Sequence, residues 1–265
     1  MVDFEFKEKY TYQDLLNIMR LLRSDNGCAW DRVQTHESIR GNVLEEAYEV
    51  ADAIDCNDSA ALCEELGDLL MQVVFHAVMA EQEHSFDMDD IVHGLCEKLV
   101  NRHPHVFGNV TADTVDSVLD NWDAIKRVEK SQQTYTDTLK SVPRAFPSLL
   151  RAAKVQKRAA KAGFDWPNSD GAWDKLNEEA DELRAACKGE NPAEIEEELG
   201  DLLFSAVNIS RFIGVDAEQA LARSTDKFIA RFEAVEKLAL ERGTDMSQST
   251  LAELDRLWDE VKQHS

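Results

Sequence analysis

Four carboxylates in the first half of the chain stand at spacings that suit metal chemistry. Glu46 and Glu49 lie three residues apart in LEEAYEVADAI (44–54), and Glu65 and Asp68 lie three apart in CEELGDLL (63–70). At about 100° per residue, that spacing sets the members of each pair roughly 60° apart on one helix. A lone pair of this kind is ordinary in a chain of which 31% is charged, and it belongs to a solvated face. Two pairs beside apolar residues on consecutive helices differ, because carboxylates crowded at a semi-buried edge repel one another unless a cation or protons intervene. Mg²⁺ fits this donor set: it is a hard cation that takes carboxylate oxygens and keeps waters or substrate phosphates in its other positions. The set then recurs. Glu179 and Glu182 in KLNEEADEL (175–183), and Glu198 and Asp201 in EELGDLLF (197–204), each follow their counterparts by 133 positions (179 less 46, 201 less 68). The residues read as two copies of one helical metal site.

Helices must carry them. Apolar residues at three- and four-residue spacing predict a first helix over 11–23, with Tyr12, Leu15, Leu16, Met19 and Leu22 inward. The turn-rich SDNGCAWDRVQTHES follows, with Trp30 expected as a core plug. A second helix is predicted over 37–55, with Ile39, Val43, Leu44, Ala47, Tyr48, Ala51 and Ile54 as its inward stripe. A third starts at an Asp58 or Ser59 cap and continues through Ala80, and the short CNDS turn makes the two an antiparallel hairpin. Glu65 and Asp68 then border the apolar stripe of the third helix.

A fourth helix, MDDIVHGLCEKLVNR (88–102), places Lys98 and Arg102 on one face. They suit either an ordinary basic helix end or two phosphate-facing cations. His103 and His105 flank a proline and are expected to be structural or exposed. A helix over 114–130 turns Trp122 inward, and the polar stretch 131–143 reads as a linker between domains 1–130 and 144–265. The second half repeats the plan. FPSLLRAAKVQKRAAKAGF forms a basic-faced helix stopped by Gly163, then comes a loop with Trp166 and Trp173, then the second acidic hairpin, whose KGENP turn offers Asn191 as cap and Pro192 at the first helical position. A long helix carries Lys227 and Arg231 at the spacing of Lys98 and Arg102, and in the last helix Trp258 answers Trp122. The fold class is all-α, two tandem helical bundles with an acidic hairpin in each.

Composition limits the partners. The 265 residues include 43% hydrophobic ones, enough for two modest cores, and the formal charge of −23 repels a phosphate backbone, so no nucleic-acid binding is expected. An acidic protein that handles phosphates needs cations at the site itself. Neither a GxxxxGK[ST] nor a GxGxxG motif occurs, so metal and side chains must do the holding. Five cysteines without a CxxC read as reduced thiols in a cytoplasmic protein, and the longest apolar run, LLMQVVFHAVMA, is too short for a bilayer, so no membrane partner is expected.

EExxE followed after fifteen residues by ExxD, present as Glu45, Glu46, Glu49, Glu65 and Asp68 and again as Glu178, Glu179, Glu182, Glu198 and Asp201, resembles the signature of MazG-type all-α nucleoside triphosphate pyrophosphohydrolases. The resemblance extends to GCAWDRVQTHESI, RHPHVFG and the tandem arrangement. It implies a homodimeric helical bundle that uses Mg²⁺ to split nucleoside triphosphates, ATP among them, into monophosphates and pyrophosphate, with loose base preference and a house-cleaning or nutrient-stress role. By position it implies that Glu179, Glu182, Glu198 and Asp201 hold the metal, and that Lys175 to Glu179, Lys227, Arg231 and Trp258 line the nucleotide site. The carboxy-terminal copy is then the catalytic one, although the first copy keeps Glu46, Glu49, Glu65 and Asp68 together with Lys98, Arg102 and Trp122. Glu178 is a candidate base or hydrogen-bond acceptor behind the metal ligands, or a solvated neighbour of Glu179. Trp258 suits either base stacking or core packing.

Two other readings use the same residues. A sibling pyrophosphohydrolase acting on dUTP or phosphoribosyl-ATP would share the four carboxylates and differ in the base pocket. A metal-storing or regulatory bundle would need no recurring cationic pair, and the Glu-x-x-His pattern, which di-iron bundles carry on each of two helices, occurs only once, at 81–84, away from both carboxylate sets.

Overall fold

The computed structural model describes residues 4–110, 114–129 and 132–263. Among them are thirteen α-helices, one 3₁₀ turn and no strand, the all-α architecture that the periodicity predicts. The chain divides into two compact units, Met1–Ile125 and Lys126–Ser265.

The first unit contains α1 (Tyr12–Leu22), the short α2 (Ala29–Val33), α3 (Arg40–Asp55), α4 (Ser59–Gln82), α5 (Met88–Arg102) and the single turn α6 (Pro104–Phe107); α7 (Val115–Glu129) runs across the division. Thr11 and Asp14 form a reciprocal capping box at the start of α1, with the Thr11 N–H donating to the Asp14 carboxylate at 2.8 Å. Asp58 Oδ1 accepts the N–H groups of Ala60 and Ala61 at 2.9 and 3.1 Å, so α4 starts at the expected cap. α3 and α4 pack along each other as the expected hairpin. The core joins Leu16 and Met19 of α1, Ile39, Val74, Phe75, Val78 and Met79 of α4, and Met88 of α5. The loop into α3 is tied down at two points. Arg23 donates to Gln82 Oε1 at 2.9 Å and to the Asp31 and Gln34 carbonyls, and His36 Nδ1 lies 2.6 Å from His76 Nδ1.

Three expectations for this unit are corrected: on α1, Leu16 and Met19 are buried and Leu15 half-buried as expected, but Tyr12 and Leu22 are exposed. Trp30 is 58% exposed on the short α2, so it plugs no core within the unit. The inward stripe of α3 is rotated: Ile39 and Ala53 are buried and Val43, Glu46 and Val50 half-buried, whereas Leu44, Tyr48, Ala51 and Ile54 are exposed. α3 is apolar on two sides, and only one of them meets α4.

The second unit contains α8 (Tyr135–Lys140), α9 (Ser148–Lys161), α10 (Asp170–Gly189), α11 (Pro192–Phe212), α12 (Ala217–Glu241), the 3₁₀ turn Met246–Gln248 and α13 (Leu251–Gln263). The stretch read as a linker holds α8. Thr134 and Asp137 cap it, and Arg158 of α9 donates to the Thr138 carbonyl and, at 2.7 Å, to Ser141 Oγ. Asn191 Oδ1 accepts from Ala193 N–H at 3.2 Å, with Pro192 in the first turn of α11 as expected. Gly163 and Gly214 take φ of +86° and +69° just past the ends of α9 and α11, a conformation that costs glycine least. Asp165, in the loop before α10, grips Arg211 of α11 through two bonds of 2.6 and 2.8 Å. α10 and α11 form the second hairpin, and Val235, Ala239 and Leu257 make a small core between α12 and α13. No described helix is long and apolar enough to cross a membrane.

Candidate metal and nucleotide site

The buried line of α10 is Ala172, Glu179 and Ala186, seven residues apart. Seven residues are nearly two turns, so the three stack on the side that faces α11, and the small alanines leave room for close approach around the carboxylate. Glu179 is 4% exposed. In α3 and the residue before it, Ile39, Glu46 and Ala53 repeat this pattern at the same offset. Each hairpin thereby draws one carboxylate into its seam.

Around that carboxylate the others gather. Ligand atoms of Glu179, Glu182 and Glu198 lie within 4.8 Å of one another, and so do those of Glu46, Glu49 and Glu65. Asp201 and Asp68 stand one turn further along their helices, outside these triplets, and act on them by charge. Glu198 is pushed above the usual carboxylate range by burial, then by Glu179 and Asp201; Glu182 is pushed up by burial and then by Glu179. In the first unit, Glu65 is raised by burial, Glu64, Asp68 and Glu46. Glu46 is raised by burial, an effect that the Gln72 hydrogen bond partly offsets. Both clusters thus hold more negative charge than they can comfortably solvate, the condition that a cation relieves.

The two clusters are satisfied differently. Lys175 Nζ lies 2.6 Å from Glu179 Oε1 and 3.0 Å from Glu178 Oε1, and these bonds raise its pKa well above the usual lysine range. In the first unit the equivalent position is Asn42 (175 less 133), and Glu46 instead accepts a bond of 3.2 Å from Gln72 Nε2 of α4. Sequence reasoning singled out Lys175 for the nucleotide but missed its grip on Glu179. It also missed Gln72 as a partner of the cluster; the signal was a glutamine interrupting the apolar run LLMQVVFHAVMA.

The remaining residues lie further out. Glu178 is exposed and held by Lys175. Lys227 is exposed and Arg231 half-buried on α12, and among the described residues no ion pair joins either to the acidic cluster; Lys98, exposed on α5, has none to its own. Arg102 is half-buried. Trp258 packs on the core between α12 and α13 while its ring meets that of Phe228, 5.2 Å away and 56% exposed. Trp122 is half-buried with His103 edge-on to its ring at 4.9 Å.

A match to the MazG nucleotide pyrophosphohydrolase domain covers residues 34–107 and 171–236, one segment around each cluster. The chain belongs to the MazG family. It is 44% identical over 251 residues to a nucleoside triphosphate pyrophosphohydrolase of Escherichia coli K12, spanning 94% of this chain and 95% of that protein. Similarity to the nucleoside triphosphate pyrophosphohydrolase/pyrophosphatase MazG of Thermotoga maritima is 41% identity over 251 residues, 95% of each. An uncharacterized protein, YabN, of Bacillus subtilis is 42% identical over 262 residues, 97% of this chain and 53% of its own length. The MazG segments contain both carboxylate sets, Lys98, Arg102, Lys175, Lys227 and Arg231; Trp122 and Trp258 fall outside them. Every donor in the two triplets is a carboxylate oxygen, with no imidazole or thiolate among them, which suits a hard divalent cation over zinc or copper.

Proposed function

We propose that this chain hydrolyses nucleoside triphosphates to monophosphates and pyrophosphate with Mg²⁺, and that the second unit carries the reaction. The observation behind this reading is the convergence of Glu179, Glu182 and Glu198 from two antiparallel helices beside a lysine. Those three, with Asp201, would hold the cation, which would neutralise phosphate charge and lower the pKa of a water so that it could attack the α-phosphorus as hydroxide. Glu178, on the exposed side of α10, accepts the proton of that water. Lys175 contacts the phosphates, and Lys227 and Arg231 offset the charge that develops on the departing pyrophosphate. Trp258, with Phe228 against it, offers a ring surface for the base, and such stacking tolerates any base. Loose base preference follows from that tolerance, and it suits a house-cleaning role.

The test is product analysis of Mg²⁺-dependent hydrolysis for the parent, Glu46→Ala with Glu49→Ala, and Glu179→Ala with Glu182→Ala. Pyrophosphate and monophosphate should form, and the second double variant should lose more than the roughly 10- to 100-fold that residues behind metal ligands account for. Loss in both variants would mean two working sites. No pyrophosphate from any nucleotide would leave a metal-binding regulatory bundle as the better description, and turnover of dUTP or phosphoribosyl-ATP alone would make the chain a narrower sibling.

A further inference from the structure

The two clusters have the same carboxylates but different counter-charges. Glu179, 4% exposed, is matched by the ammonium of Lys175 at 2.6 Å, whereas Glu46 is matched by the neutral amide of Gln72 at 3.2 Å and has Asn42 where the second unit has lysine. We propose that Lys175 is a built-in counter-ion that makes cation binding by the second cluster depend on a bound nucleotide, while the first cluster binds a divalent cation unaided.

This inference rests on the metal reading above and deepens it. For Glu179 to become a ligand, Lys175 must give up its 2.6 Å partner or remain as a positive charge beside the incoming cation; either weakens binding. Its side chain is 38% exposed, and its flexible stem can carry the ammonium away from the seam. Without nucleotide, its other ion pair among the described residues is with Glu178 at 3.0 Å on the same helix. A triphosphate supplies the missing one: its oxygens receive the displaced ammonium as the cation takes Glu179. Linkage is reciprocal, so the cation tightens nucleotide binding by the same factor. Nothing comparable constrains Glu46. An amide donor occupies one lone pair and adds no charge, and the other side chain that Glu46 meets, Glu49, belongs to the same cluster and brings no positive charge either. Lys175 is a positioning residue in this step, acting through Glu179.

Mn²⁺ binding to the metal-free full chain, followed by water-proton relaxation without nucleotide and then with a non-hydrolysable triphosphate analogue, tests this directly. Two classes of site are expected, with the weaker tightening on addition of the analogue. Lys175→Gln should tighten the weak class by about tenfold without analogue, Lys175→Arg should leave it weak, and Asn42→Lys should weaken the tight class. Equal sites that Lys175→Gln and the analogue do not move would overturn the proposal and leave the metal reading intact. Absence of Mn²⁺ binding in every form, with and without analogue, would overturn both.

Discussion

Glu46, Glu65, Glu182 and Glu198 all have pKa values raised in the folded protein, chiefly by burial and then by one another. Between the unfolded value near 4.5 and the folded values, the native state holds protons that the unfolded chain has released. Their contribution to stability is therefore fully present below pH 4.5 and lost as pH rises through the folded pKa values. A cation competes only for the ionised form, so saturating Mg²⁺ should raise the melting temperature at pH 7 to 8 and do progressively less toward pH 4.5. Calorimetry at several pH values checks this; an equal Mg²⁺ shift at pH 4.5 and pH 8 would mean that these carboxylates are not its source. The pairs themselves were legible because their spacing survives folding unchanged. The partners of Glu46 and Glu179 were not, since whether an amide from the facing helix or a lysine one turn back fills the seam depends on how the helices meet.

The helices and their caps were largely readable, because Thr11, Asp58 and Asn191 bond to amides within three residues of themselves. The rotation of α3 was not, for Leu44 and Tyr48 look as apolar as Ile39 and Val43, and only packing selects between them. The loop before α10 owes its position to a long-range contact with no local signature, the Asp165–Arg211 pair. The Arg211 hydrogen bonds hold the Asp165 carboxyl below its ordinary value of 3.8, so the pair stabilises the fold above that pH and stops doing so as pH falls through the folded value. Asp165→Asn should cost about 1 kcal/mol in urea unfolding at pH 7, a modest figure because both side chains keep some solvent contact. The gap between variant and parent should close in acid. A gap that persists at pH 2 would assign the loss to packing instead of charge.

Both hairpins leave apolar side chains outward: Leu66 and Leu70 on α4 and Leu199, Leu203 and Phe204 on α11 are each between 39% and 49% exposed. In a chain of net charge −23, exposed leucines aligned at four-residue spacing are costly unless something covers them. Lys227 and Arg231 point the same way, since a triphosphate site needs cations and among the described residues neither forms an ion pair. A second copy of the chain is the expected cover, with a dimer mass in solution scattering at micromolar concentration. Like charges oppose the association and apolar burial drives it, so raising salt from 0.05 to about 0.5 M should strengthen the dimer by shortening the screening length. Leu199→Glu with Leu203→Glu should give a folded monomer, because these side chains are nearly half exposed and belong to neither buried core cluster; a parent monomer under all these conditions would mean that the outward stripes are covered by something other than this chain.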